Sequence, residues 1–591
     1  MPRPVKSERP VIAEPVVEHI QSTAIVVIHP GSSNLIIGRA TDHAPRFMPH
    51  VIARKITNDQ FHPLRVNPLR RPGCNYEETD EKRKFGLKST KSLIQSVRIN
   101  GGYRKPRVSS NEVSAYNQNV YPTPSENDDS TESHWTDVSH MPDFVIGEEA
   151  LNLQSNAPFH CRWPIKHGQL NLHDGVGGTP SALAEDIVTL WGNAIETLLN
   201  IPIGDLSFYR AVLLVPDNFN RSHVKLLVDL ILNRLNFSCV IACQESVCGA
   251  FGSGLPSACV VDCGAQKTNI CCVEDGLSLA TTRLTLNYGG NDITRCFYNL
   301  LLKSNFPYQT LDFDDPMDIQ LLQELKETYC HLSMDIPSGH VHEFQVMRPD
   351  QPTMMYKIRL GDEPILAPSA MFVPDLFGIV NERLIETFPE VQDHDSEDLT
   401  DDRYLLEKRD VEPKKTKETS ENKENKETVE QTEQQQQSSQ EYIALTTSVL
   451  PPTNQQLHSK LEDIRLDGMP IDEAIAYSIE QCSNSETKRK MYSTILLIGG
   501  GLNFKGADNF LLKRVQARLP AHFNYLKEQM EVINRPKEND PRTAGWKGGG
   551  VLSILDSSQE LWISRKEWNQ YGVRILRERC AFQWSTNMDK Q

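Results

Sequence analysis

The chain has 591 residues, enough for two to four domains of ordinary size, and its 38% hydrophobic content is low for a chain folded throughout. A formal net charge of -16 excludes a surface that binds polyanions all over, so any contact with nucleic acid has to be local. The 13 cysteines show no CxxC pair and no Cys/His spacing suited to zinc. Cys239, Cys243, Cys248, Cys259, Cys263, Cys271 and Cys272 read as small buried hydrophobes of a reducing compartment. Neither a signal-peptide core nor a membrane-length apolar run is present, so the sequence predicts a soluble, intracellular protein without membrane contact.

Residues 1–23 are Pro- and charge-rich and read as a flexible extension. From Ala24 the run AIVVIHPGSSNLIIGRA predicts a strand, a turn at Gly31, Ser32 and Ser33, and a returning strand, apolar on both faces as in a covered sheet. Residues 54–107 then hold fourteen Lys/Arg against five acids, a local excess of nine positive charges. With Phe61, Tyr76, Phe85 and Tyr103 interleaved, this block suits contact with a phosphate backbone or an acidic protein, and equally a solvated insertion. Residues 109–140 are polar and loop-like, so 54–140 as a whole reads as inserted. Folded patterning resumes at Asp143–Leu151, with helices over Leu183–Leu199 and His223–Leu235 around a strand at Ala211–Pro216. Such alternation predicts α/β units on a mixed sheet.

The stretch Cys259 to Gly276, CVVDCGAQKTNICCVEDG, repeats the opening pattern: strand, a tight turn with Asp262 and Gly264, strand. One such turn is most often a plain hairpin. Its recurrence, together with a glycine-rich strand exit in STILLIGGGLNFKG (Ser493 to Gly506), points to a duplicated phosphate-binding fold. A helix is expected from Asp292 after the Gly289–Gly290 pair, and another over Leu321–Ser333 carrying Lys326 and Glu327. Residues 391–446, acidic and Gln-rich, are expected to be disordered. Within them Pro413–Lys417, PKKTK, is a weak nuclear-import candidate beside the plainer reading of a charged linker.

These motifs, with WPIKHG (Trp163 to Gly168), YGGNDIT (Tyr288 to Thr294), LKETY and the run WKGGGVLSILDSSQELWISRKEW (Trp546 to Trp568), resemble the actin family, and within it the nuclear members. The likeness covers roughly two thirds of the chain and leaves out the basic and Gln-rich insertions. It implies an α/β, actin-like two-lobed fold of duplicated ribonuclease-H-like domains with mixed sheets and large insertions. One lobe would hold 24–53, 141–210 and 546–591, the other 211–390 and 447–545. It also implies ATP in the cleft between them. Gly31, Ser32 and Ser33 would grip phosphates from one side, Asp262 and Gly264 from the other. Lys326, Glu327, Gly499, Gly500, Gly501 and Leu502 would lie along the adenosine, Arg542 would reach base or ribose, and Asp262 would hold Mg2+ through water. Without the family likeness Lys326 and Glu327 read as a solvated helix face.

Several catalytic positions depart from the family's pattern. His29 stands for the acid of the first hairpin, Ile36 for its phosphate-contacting lysine, Ala265 for the later acid of the second hairpin, and Asn269 for the water-orienting histidine. The water-orienting glutamine falls at Glu245 or Gln244. Losing one positioned group from such a site costs ~10²-fold or more in rate, so ATP is expected to bind with slow or absent turnover. The resemblance further implies a nuclear, non-polymerising subunit of an Ino-eighty type chromatin remodeller, assembled with nuclear actin and actin-related protein 4 on a helix of the motor subunit. Nucleosome, histones and DNA would be its partners, transcription regulation and DNA repair its setting. Basic histone tails would prefer acidic stretches such as Asp312 to Asp318. The alternative is an active ATPase or phosphotransferase of the actin, sugar-kinase and chaperone superfamily.

Overall fold

Two sheets of like topology organise the chain. In the first, Ile25–Pro30 forms a hairpin with Asn34–Arg39, and the order runs Ile563–Ser564, Cys239–Gln244, Arg210–Val215, Ile25–Pro30, Asn34–Arg39, Arg46–Pro49. In the second, Ala258–Cys263 forms a hairpin with Thr268–Glu274, flanked on one side by Thr494–Ile498 and Glu531–Ile533, on the other by Leu284–Leu286 and Ile385–Thr387. Each hairpin meets its next strand in parallel, Val27 opposite Val212 and Val261 opposite Leu497. The duplication expected from the recurring turns is therefore present as two lobes. The computed structural model describes residues 21–56, 69, 71, 76–96, 98–99, 102–103, 108–125, 135–154, 157–313, 315–348, 351–387, 468–535, 539–580, 582 and 584. Residues 1–20 of the extension expected over 1–23, the 391–446 segment and PKKTK lie outside the described residues, and Ser22–Ala24 forms a short 3-10 turn.

The boundary expected between residues 210 and 211 falls later. Arg210–Val215 and Cys239–Gln244 both pair in parallel within the first sheet. A parallel neighbour needs a crossover connection, and Pro180–Leu199 supplies it, capped by the Thr179 side chain on Ala182 N–H. Apolar residues on both faces of the two sheets merge at the hinge, where Val27, Val212 and Ile241 meet Val260, Leu496, Ala544 and Trp546 in one cluster. Here Glu245–Ser253 crosses Ala544–Ile554 at backbone distance. A Cβ on Gly548 would lie 1.6 Å from Cys248 O, and one on Gly252 2.0 Å from Ala544 O, which explains one glycine each in WKGGG and GAFGSG.

The described parts of 54–140 hold more regular structure than their composition suggests. The segment leaves from Ile52–Lys55 and returns at Phe144–Ile146, both strands of one small sheet completed by Phe159–Arg162. Between them it reaches the second lobe. Helix Tyr76–Ser96 places Ile94 in that lobe's core, and Gly86 lies against the backbone of Leu376, where a Cβ would be 2.3 Å from the amide nitrogen. Ser110–Gln118, in the stretch expected to be loop, is a helix: Ser109 caps the amide of Glu112, a start signal masked by the polar composition around it. Asn117 Nδ2 then donates to Ser304 O and Arg359 O, and Thr123–Pro124 adds a strand to the Val341–Val346/Met354–Arg359 pair. Part of the basic charge is engaged inside the fold. Arg54 pairs with Asp186 at 2.8 Å, Arg71 with Asp292 at 2.9 Å and Glu382 at 2.6 Å, and Lys82 approaches Asp375.

Among the described residues every cysteine is a free thiol, and no helix is long and apolar enough to cross a membrane.

Candidate functional site

The two hairpin turns face one another across a cavity of about 390 Å3. Gly31, Ser32 and Ser33 line it from the first lobe, Asp262 and Gly264 from the second, with Lys326, Glu327, Gly499, Gly500, Gly501 and Arg542 along the rest of its wall. All these residues were expected at one site. Leu502 is the exception: it is buried in the second lobe's apolar core, because the turn after Gly501 points its side chain away from the cavity. Asn503 and Phe504 line the cavity beyond it.

The three glycines have a steric cause. Gly499 has φ +84°, and a Cβ there would lie 2.3 Å from Cys263 O and 2.5 Å from Asp262 Oδ1. One on Gly501 would lie 2.3 Å from Gly264 O, because Gly501 N–H donates to Cys263 O at 2.7 Å. The carbonyls of the second turn are engaged on this side, Gly264 O by Gly290 N–H at 3.0 Å and Ala265 O by Asn291 N–H at 2.7 Å. The Gly289–Gly290 pair thus packs on the hairpin turn itself.

The first turn is held by His50, whose Nδ1–H donates to Gly31 O at 2.7 Å while Nε2 accepts from Trp191 Nε1–H at 3.1 Å. The WPIKHG loop bridges the two turns. Gly168 N–H donates to Ser32 Oγ at 3.0 Å and His167 N–H to Gln266 Oε1 at 2.9 Å. Neither His50 nor Gln266 carries a sequence signal of its own; each works through a contact distant along the chain.

The electrostatics depart from metal-assisted chemistry. The register places His29 opposite Ile36 in the first hairpin and Asp262 opposite Asn269 in the second, the same cross-strand position in both. Glu245, not Gln244, faces the cavity. Gln244 turns the other way, accepting from Ser278 Oγ at 2.7 Å. Glu245 Oε2 accepts from Lys267 Nζ at 2.8 Å and Asn269 Nδ2 at 3.0 Å, and His29 Nε2 lies 3.5 Å from Oε1. Despite complete burial, Lys267 and His29 hold this carboxyl down at about 2. Asp262 goes the opposite way: burial and the Glu245 charge push it up to about 6. Lys267, which sequence reading did not single out, is the central cation of the cleft.

For the Mg2+ expected through Asp262 and water, the cleft offers few oxygen side chains beside that carboxyl: Glu245 is engaged by an ammonium, Ile36 and Ala265 carry no side-chain oxygen, and among the described residues no three His, Cys, Asp or Glu side chains form a direct ligand set. At the far end Lys326, fully buried and shifted down by desolvation, donates to Gly290 O at 3.4 Å, and Glu327 accepts from Gln323 Nε2 at 3.0 Å. Both line the cleft wall, Lys326 buried and Glu327 exposed at its rim, so the solvated reading fails for the lysine. Arg542 chelates Asp540 and lies 5.1 Å over the Phe47 ring.

The acidic stretch Asp312 to Asp318 is structural. Arg348 binds Asp315 at 2.5 Å and Asp318 at 2.7 Å, and Asp318 is buried. Two of the four acids of the stretch are thus engaged by one arginine, while Asp312 is exposed.

Two duplicated lobes, facing hairpin turns and a hinge of crossed glycine-bearing helices define the actin class of fold. The family model described as Actin matches residues 20–581, and the chain belongs to the actin family. More narrowly, it is similar to proteins named actin-related protein 8. It is 43% identical over 586 residues to that of Bos taurus, covering 96% of this chain and 93% of the relative. To that of Aedes aegypti it is 36% identical over 580 residues, covering 96% and 99%. Among solved structures it is similar to human actin-related protein Arp8 in its ATP-bound state, with TM-score 0.81, 40% identity, and coverage of 98% of this chain and 100% of that one.

Proposed function

We propose that the chain is a nucleotide-holding, non-catalytic actin-fold subunit that binds ATP in the cleft between its lobes. The observation that carries this reading is the combination at one site of a retained cradle and a disabled catalytic set. The turns at Gly31–Ser33 and Gly264–Ala265 face each other across the cavity, small-residue turns of the kind whose backbone N–H groups take phosphate oxygens, and the strand exit at Gly499–Gly501 closes its wall. Ile36, Ala265 and Asn269 remove charge and proton-handling groups, and Glu245 is tied to Lys267. The ATP-bound state of the similar human structure supports the choice of nucleotide. Single-turnover measurement with purified protein and ATP tests it. Retention of intact ATP over the period in which free actin monomers hydrolyse theirs is expected; hydrolysis at an equal rate overturns the reading.

The wider role follows the resemblance to the nuclear relatives. The chain acts in the nucleus as a subunit of an Ino-eighty type chromatin remodeller, on a helix of the motor subunit beside nuclear actin and actin-related protein 4. It helps engage nucleosome and linker DNA, in support of transcription regulation and DNA repair. It does not form filaments, since an arm as large as 54–140 obstructs repetitive packing. Purification from nuclear extract should recover a motor ATPase with these two partners; recovery of the chain alone, or in filaments, removes this assignment.

A further inference from the structure

Lys267 follows directly on the turn that faces the phosphate side of the cavity, and its surroundings fix where its charge sits. The side chain is 11% exposed. Its stem lies against Gly168, which has φ +73°, where a Cβ would fall 2.4 Å from Nζ and 2.5 Å from Cε. A side chain on the WPIKHG loop would therefore expel it, and only a glycine there leaves room. An ammonium carries three N–H donors, of which Glu245 Oε2 takes one at 2.8 Å. Lys267 lines the cavity together with Gly31, Ser32, Asp262 and Gly264. Asp262 is close enough for the charges of both Glu245 and Lys267 to act on it. A divalent ion entering this space would meet a fixed cation and would compete for a carboxylate that already accepts from Lys267 and Asn269.

Resting on the nucleotide reading of the cleft, we propose that Lys267 is the resident counter-ion for the terminal phosphates of a nucleoside triphosphate, so that this chain takes up its nucleotide without a divalent metal. The ammonium does one part of what a bound cation does, offsetting phosphate charge, and it omits the other, polarising water. A cleft built this way holds a triphosphate and leaves it whole. Lys326 and the glycine-turn amides share the load along the rest of the ligand.

The experiment is a calorimetric titration of the full-length chain with ATP, once in EDTA and once in excess Mg2+, repeated with Lys267→Gln and Lys267→Arg. Dissociation constants less than about tenfold apart in the two buffers are expected for the unaltered chain. In EDTA, Lys267→Gln is expected to weaken binding by ~10- to 100-fold while Lys267→Arg retains it, as a charge-assisted contact predicts. Binding improved about tenfold or more by Mg2+ overturns the proposal and leaves the nucleotide reading standing. Undiminished binding by Lys267→Gln in EDTA overturns the role given to this residue. Absence of ATP binding in both buffers instead retracts the nucleotide reading, and the inference with it. Should Lys267→Gln fail to fold, the comparison of the two buffers with the unaltered chain decides alone.

Discussion

His50 shows how one side chain can fix a functional turn from a distance. It is fully buried, with both ring nitrogens engaged, so only the neutral tautomer with the proton on Nδ1 satisfies Gly31 O and Trp191 Nε1–H together. Burial pulls its pKa from 6.5 to about 4. Because the folded value lies below the unfolded one, the contribution is complete above pH 6.5 and is lost as pH falls from there towards 4. The loss is at most roughly 3 kcal/mol. Urea melts at descending pH should show this decline. His50→Phe should remove that part of the pH dependence while costing about 1 to 3 kcal/mol at neutral pH from the two groups left unpaired. A variant with the same acid profile as the parent would show that another group is responsible. At this scale the sequence discloses Asp262 and the glycines, since a turn that other backbone touches admits few residue types. His50 and Lys267 stay hidden, because their meaning comes from Gly31, Trp191 and Glu245, remote in the chain.

The arm helix Tyr76–Ser96 separates what composition can say about an element from what packing decides. Propensity alone would make Gly86→Ala stabilising by about 1 kcal/mol in a helix interior. Packing reverses the sign, since the new Cβ would lie 2.3 Å from Leu376 N and 2.6 Å from Asp375 C, both backbone atoms. We expect Gly86→Ala to lower the melting temperature and to raise hydrogen exchange along this helix; unchanged exchange would show that the helix does not depend on that contact. Its other face carries exposed Lys84, Lys88 and Lys91 around Phe85, which is 63% exposed. Among the described residues of the basic block, this face is where the expected DNA contact can be tested. Charge reversal, Lys88→Glu with Lys91→Glu, should weaken duplex binding and reduce its salt dependence by about one unit of slope per lost phosphate contact, with the melting temperature unchanged. Equal affinity before and after reversal would remove the helix from the DNA-contact assignment. Counting charges cannot make this distinction, because Arg54 and Arg71 enter the same count as Lys88 and are already paired inside the fold.

For the whole molecule, the two-lobed plan was legible because duplication writes it twice, in strand, turn and strand around Gly31 and again around Gly264. The arm's path was not, since nothing local in 54–140 states that it crosses to the second lobe. Arg71 marks that crossing. Its guanidinium binds Asp292 Oδ1 and Oδ2, Glu382 and Asn287 O at 2.6 to 3.1 Å, and its side chain is 9% exposed. Asp292 in turn caps helix Gly290–Lys303 by accepting from Gly289 N–H, and Gly290 lines the cavity. The arm is thereby coupled to the floor of the cleft through one ion cluster. Arg71→Met leaves buried Asp292 with Arg295 at 3.2 Å as its remaining cation among the described residues, and breaking a buried pair in this way costs about 3 to 5 kcal/mol. The melting temperature should fall, and a fluorescent ATP analogue should leave the cleft faster than from the parent. Loss of stability with unchanged release would confine the cluster to folding, whereas a change in both places the arm among the elements that keep the nucleotide in.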